Sequence, residues 1–116
     1  MKQPPPNASI AHQRDGGCLH APSAARNASA ITALLQTHAP QSGRALELAS
    51  GTGQHVIEFA TALLGLQWQP TEIDMERRNS IDAWATTRNL PNLRPAIALD
   101  ATAPGWGIKH AGMNLI

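Results

Sequence analysis

The apolar positions change rhythm along the chain, and each change marks an element. In "APSAARNASAITALLQTHA" the residues Ala30, Ile31, Leu34 and Leu35 recur at helical spacing. Pro22, just before Ser23, suits the start of that helix, and Pro40, Ser42 and Gly43 end it. "RALELA" is a short apolar run that reads as a buried strand. The small-residue turn Ser50-Gly51-Thr52-Gly53 follows, and then Val56, Ile57, Ala60, Leu63 and Leu64 return to the helical period over Gln54 to Leu64, with Gly65 as the C-terminal cap. "LQWQPTEI" predicts a second strand, irregular near Pro70 because proline cannot donate to a ladder. Asp74 caps a helix predicted over 75–88, with Ile81, Trp84 and Ala85 inward. "RPAIALD" reads as a third strand, "ATAPGWG" as a loop and "MNLI" as the opening of a fourth strand.

Helices alternating with strands predict parallel βαβ units with helices on both faces of the sheet. The fold class is α/β, a partial doubly wound (Rossmann-like) sheet with expected order 3-2-1-4. Ligands bind such sheets at the C-terminal ends of the strands. The glycine turn, the acids Glu72 and Asp74 and the acid Asp100 are all predicted to share that edge.

Composition narrows the functional classes. The chain has 116 residues, at most one domain. Residues 1–20, rich in Pro, Gly, Asn and Gln, read as a disordered tail, leaving 21–116 as the folded unit. A formal charge of +1 supplies no basic footprint for nucleic acid. No stretch approaches the roughly 18 apolar residues of a membrane span, and no apolar run follows Lys2 to make a secretory signal. The single cysteine, Cys18, allows no internal disulfide and suits a reducing, cytoplasmic compartment. The five histidines show no metal spacing, so no metal site is expected. His55, directly after the glycine turn, is the one histidine expected near a ligand.

The turn decides the ligand class. A strand feeding a helix through glycines is often purely structural. At a ligand edge, however, it presents an open backbone and a helix N-terminus to an anionic or strongly hydrogen-bonding group. A phosphate-binding P-loop needs a lysine, absent here. A dinucleotide fingerprint needs a small residue where Val56 stands, which weakens a nicotinamide reading. Space remains for an adenosine ligand. Glu47, an acid inside the first strand, is either half of a salt bridge or an acid that orients the turn or reaches a cationic part of the ligand. Glu72 stands about twenty residues past the turn, where a carboxylate can accept from ribose hydroxyls. The alternative for Glu72 is a solvated surface acid. Asp100 either reaches an exocyclic amine of a base or forms a turn.

"LELASGTG" resembles the first motif of class I S-adenosylmethionine-dependent methyltransferases. Together with "SAARNASAITALL", "LQWQPTEID", "NSIDAWA" and "LRPAIALDAT", it resembles the methyltransferase-like protein 26 family (domain of unknown function 938), from about His20 to Ile116. The resemblance implies S-adenosylmethionine as cosubstrate. It places Glu47, Ser50, Gly51, Thr52 and Gly53 along its methionine and ribose side, Glu72 on the ribose and Asp100 near the adenine. Arg26 and Asn27 match a family signature that closes over the cofactor. The family's domain continues past this point, so the chain is expected to be a truncated, cofactor-binding N-terminal half, inactive alone. Its methyl acceptor is undefined, and a partner chain is a candidate to complete the sheet. A non-catalytic, partner-binding product is the alternative from another class.

Overall fold

A computed structural model describes residues 12–13 and 17–116. Its elements are β1 (His12–Gln13), β2 (Leu19–His20), α1 (Pro22–His38), β3 (Gly43–Glu47), α2 (Gln54–Ala62), β4 (Leu66–Pro70), α3 (Met75–Arg88) and α4 (Trp106–Lys109). β3 and β4 pair in parallel, in register from Gly43 opposite Leu66 to Glu47 opposite Pro70. α2 connects them and packs between α1 and α3. Ala45, Val56, Ile57, Phe59, Ala60, Leu66, Trp68 and Ile81 form one buried core against this pair.

The helices begin where local chemistry allows. α1 starts on Pro22, whose missing N–H is harmless in a first turn. α3 starts on Asp74, whose carboxylate accepts from the Arg77 N–H at 2.9 Å. Ile81 of α3 is fully buried, with Trp84 and Ala85 partly buried beside the core, as the periodicity predicts. Three apolar residues depart from the predicted faces, the first being Ala30 of α1, which is exposed. Leu34 is 61% exposed, and α1 buries Ala28 and Thr32 instead. Leu64 is 68% exposed because α2 stops at Ala62, with Leu63 at its end. Gly65 is therefore not a helix cap. Its missing side chain makes room for the Gln41 carbonyl oxygen, which would lie 1.9 Å from a Cβ there.

The predicted third strand does not form as a ladder. Segment 93–97 touches β4 through two isolated bridges, Leu93 to Trp68 and Ile97 to Thr71. Between them β4 advances three residues and its partner four, a bulge. Three causes meet there. Pro70 and Pro95 have no N–H to give. Gln69 Nε2 donates to both proline carbonyls, at 2.9 Å each. The Ala96 N–H turns to Asp82 Oδ1, also at 2.9 Å. On the other side of β3, Leu115 pairs with Ala45, and its carbonyl accepts from the Leu46 N–H at 3.0 Å. The segment predicted as a loop contains the short helix α4.

The boundary of the predicted tail also moves. Residues 17–20 are part of the packed structure; the rest of the predicted tail, apart from the backbone of His12 and Gln13, lies outside the described residues. Cys18 and Leu19 are 3% and 5% exposed. The Leu19 N–H donates to Ser80 Oγ at 2.7 Å, and the Trp84 indole donates to the Leu19 carbonyl at 3.0 Å. Composition concealed this, because two backbone bonds and two small apolar side chains carry the attachment. Helices on both sheet faces are likewise not what the β3–β4 pair shows. Its second face presents Arg44, Gln67 and Gln69, which line a polar cleft with Arg94, His110 and Met113.

Candidate functional site

β3 delivers the chain to the glycine turn at its C-terminal end. Ala49, Gly51 and Gly53 there take positive φ values of 52°, 61° and 99°. Thr71, fully buried at the end of β4, ties the turn down: its N–H and hydroxyl both donate to the Glu47 carbonyl, at 3.0 and 2.7 Å. The Ser50 N–H donates to the Thr71 carbonyl at 2.7 Å. The two glycines differ in what they make possible. A Cβ on Gly53 would lie 3.0 Å from the Ile81 backbone, so this glycine lets α2 approach α3. A Cβ on Gly51 would meet nothing within 4 Å, so this glycine leaves its backbone open to a cavity.

Glu72 spans the site. One carboxylate oxygen accepts from the Gly51 N–H and the other from the Asp74 N–H, both at 2.9 Å. The residue is only 6% exposed. An ionised carboxylate has about four acceptor positions, so each oxygen keeps one free for another donor. A cavity of about 280 Å³ opens here, lined among others by Asn27, Ser50, Gly51, Thr52, His55 and Glu72. Arg77 also reaches its lining. The His55 ring donates from Nε2 to the Ala24 carbonyl at 3.1 Å and stacks on Phe59.

Of the nine residues that the resemblance assigns to the cofactor, five line this cavity: Asn27, Ser50, Gly51, Thr52 and Glu72; His55, the histidine expected near a ligand, lines it too. Gly53 caps α2 behind it. Glu47 is not in the lining. Its Oε1 is sealed from solvent without a hydrogen-bond partner. Burial pushes its carboxyl up to about 7, against a smaller opposing effect of the Ser50 hydroxyl. Among the described residues no ion pair accompanies it, so none of them supplies the salt bridge of the first reading. Arg26 is exposed and outside the cavity. Asp100 is exposed as well, and its carboxylate accepts from the Thr102 N–H and hydroxyl at 2.9 and 2.6 Å. Those two bonds hold it below the usual carboxylate range and make it the turn former of its loop. Among the described residues no group of three metal-ligating side chains comes together, and no helix is long and apolar enough to cross a membrane. Arg77 and Gln54 are site residues that the sequence pattern missed. Each lies in the first turn of its helix, where side chains of any type point back at the preceding loop.

Residues 19–115 match the family described as protein of unknown function DUF938, and the chain belongs to that family. The fold is similar to that of coclaurine N-methyltransferase, solved in complex with N-methylheliamine and SAH, with a TM-score of 0.53 at 19% identity. That match covers 63% of this chain and 22% of that enzyme, so the shared region is about a fifth of the enzyme's length. The architecture is α/β, a small parallel sheet with helices, similar in fold to part of that methyltransferase.

Proposed function

We propose that this chain is the S-adenosylmethionine-binding portion of a methyltransferase of the methyltransferase-like protein 26 type, built on a Rossmann-like sheet of order 3-2-1-4. One observation carries the reading: the open backbone of Gly51 and the two-oxygen acceptor of Glu72 meet in one cavity at the C-terminal ends of β3 and β4. That edge is where α/β sheets hold nucleotides. The residues present fit the cofactor. Glu72 has acceptor capacity left for ribose hydroxyls. The cavity side of Gly51 is free of side-chain atoms. The solved methyltransferase of similar fold carries SAH, which supports the choice of ligand.

When bound, the cofactor supplies an electrophilic methyl group on a sulfonium. The chain's own residues bind and orient it. Ser50 and Thr52 border the turn, Thr71 fixes the turn against β4, and Asn27 and His55 close the side formed by α1 and α2. Methyl transfer then gains chiefly from proximity and alignment. We assign the acceptor pocket to segments outside the region shared with the solved enzyme, or to a partner chain that completes the sheet.

Calorimetric titration with S-adenosylmethionine, SAH and NAD tests the proposal. Binding of the first two and not of NAD is expected. Binding of NAD alone, or of none of the three, overturns it, and the latter outcome favours a non-catalytic binding module.

A further inference from the structure

Gln54, the first residue of α2, joins three parts of the chain through one amide. Its Oε1 accepts from the Ala21 N–H and from the Thr52 hydroxyl, the latter at 3.1 Å. Its Nε2 meets His20 Nδ1 at 2.9 Å. The Ala21 N–H can only donate, so it fixes which end of the amide is oxygen. The amide nitrogen can also only donate, so His20 Nδ1 must accept. An imidazole that accepts at Nδ1 is neutral, with its proton on Nε2.

We propose that Gln54 is a latch that ties segment 17–21 to the glycine turn, and that it holds only while His20 is neutral. The segment it secures leads directly into α1, whose first residues Ser23, Ala24 and Asn27 form one wall of the site cavity. Gln54 itself stands between that cavity and a second one of about 300 Å³, which His20 lines. Releasing the amide frees Ala21 and Thr52 together, so the wall and the turn loosen as one. Gln54 is thus a positioning residue: it acts on the cofactor through the wall and the turn.

Among the described residues, the charged groups that line the His20 cavity are Glu58 of α2 and Arg88 of α3, one of each sign, while α1 brings only Ala25, Ala28 and Ser29. β1 sets a second titratable residue, His12, opposite His20 in the strand pair, and the His20→Phe variant separates the two. An imidazolium presents N–H at both nitrogens and meets the Gln54 amide donor to donor. A glutamate at position 54 reverses this. Its oxygens still accept from Ala21 and Thr52, and an imidazolium can now donate to it.

Amide hydrogen exchange on the free protein tests the latch without any ligand. In the wild type, exchange at Ala21, corrected for the intrinsic rate, should accelerate about tenfold between about pH 8 and pH 5. In Gln54→Leu it should be fast at both pH values, and in Gln54→Glu slow at pH 5. His20→Phe should abolish the pH dependence. Protection at Ala21 that ignores pH in the wild type, or that survives Gln54→Leu, overturns the latch. The effect on cofactor rests on the proposed function: SAH affinity should fall about tenfold in Gln54→Leu and recover in Gln54→Glu at low pH. A wild type that fails to bind SAH would refute that function and leave the exchange result standing. Normal SAH affinity in Gln54→Leu would refute the positioning role alone.

Discussion

The Gly51 N–H donates to Glu72 Oε1 at 2.9 Å, which joins the glycine turn after β3 to the acid that follows β4. The bond makes Glu72 both a wall of the cavity and a brace of its loop. Glu72→Ala should therefore weaken SAH binding and also lower the melting temperature, because the Gly51 and Asp74 N–H groups both lose their acceptor. Each unsatisfied donor costs about 1–3 kcal/mol. Glu72→Gln keeps one oxygen and separates the two effects: a tenfold or greater loss of affinity with a smaller loss of stability. Asp74→Ala removes only a helix cap, worth about 1 kcal/mol, and should leave affinity unchanged. Calorimetry and thermal melting of the three variants check this, and equal affinity losses in Glu72→Gln and Asp74→Ala would remove the ribose assignment.

The two glycines of the turn predict opposite failures. Gly51→Val meets no atom in the free protein but must hold φ near 61°. A left-handed backbone costs a residue with a side chain about 1–2 kcal/mol, more for a branched one. The variant should stay folded by circular dichroism and lose SAH binding, since its side chain projects into open cavity space. Gly53→Ala puts a methyl 3.0 Å from the Ile81 backbone at a φ of 99°. Its larger effect should be on the melting temperature, through the α2–α3 contact. A Gly51→Val variant with normal affinity would make the turn purely structural.

Local signals and long-range ones differed in how far the sequence could be read. Pro22 at the start of α1, Asp74 at the start of α3 and the apolar run of β3 each depend on neighbours within a turn, and the structure has all three; the helical periods found the helices but placed Ala30, Leu34 and Leu64 on faces that are exposed. The ladder beyond β4 depends on what three separate segments do with one another. Pro70, Pro95 and the Asp82 carboxylate together interrupt it, leaving two parallel bridges where "RPAIALD" has the composition of a continuous strand. Site residues divide the same way. The turn and Glu72 are tied to strand ends, and the cavity contains them. Asp100 is also near a predicted strand end, but its own loop absorbs its carboxylate. Gln54 had no visible signal, because its partners His20 and Ala21 lie 34 and 33 residues away.

Asn92 offers a test of how the end of α2 is sealed. It is 4% exposed, and its Nδ2 donates to the carbonyls of Ala60, Leu63 and Leu66, at 3.0, 3.4 and 3.2 Å. Its own carbonyl accepts from the Trp68 N–H at 2.8 Å. Asn92→Ala keeps the backbone bond and strips the side-chain donors from buried carbonyls. The expected loss is about 2–3 kcal/mol, by the cost of unsatisfied buried groups. Chemical denaturation measures it, and SAH affinity should be unchanged because Asn92 meets α2 at its C-terminal end, at Ala60 and Leu63, away from the turn at its start. A loss below about 0.5 kcal/mol would show that other groups seal this end.

Glu47 ties stability to pH, with a sign opposite to that of a salt-bridged acid. Burial raises its carboxyl from 4.5 to about 7 in the folded protein. The folded state therefore holds a proton that the unfolded chain releases at lower pH. Below about pH 4.5 both states are protonated, and Glu47 adds no pH dependence. As the pH rises from there to about 7, the unfolded chain gains by ionising while the buried carboxyl does not, so this contribution to stability falls and then levels off. The shift from 4.5 to about 7 corresponds to at most roughly 3.5 kcal/mol at about 1.4 kcal/mol per unit. Glu47→Gln removes the ionisation and keeps the shape. It should raise the melting temperature at pH 8, leave it nearly unchanged at pH 4 and flatten the profile between. Thermal melts of both proteins across that range decide the matter, and a profile that stays parallel to the wild type would mean that Glu47 ionises freely in the fold.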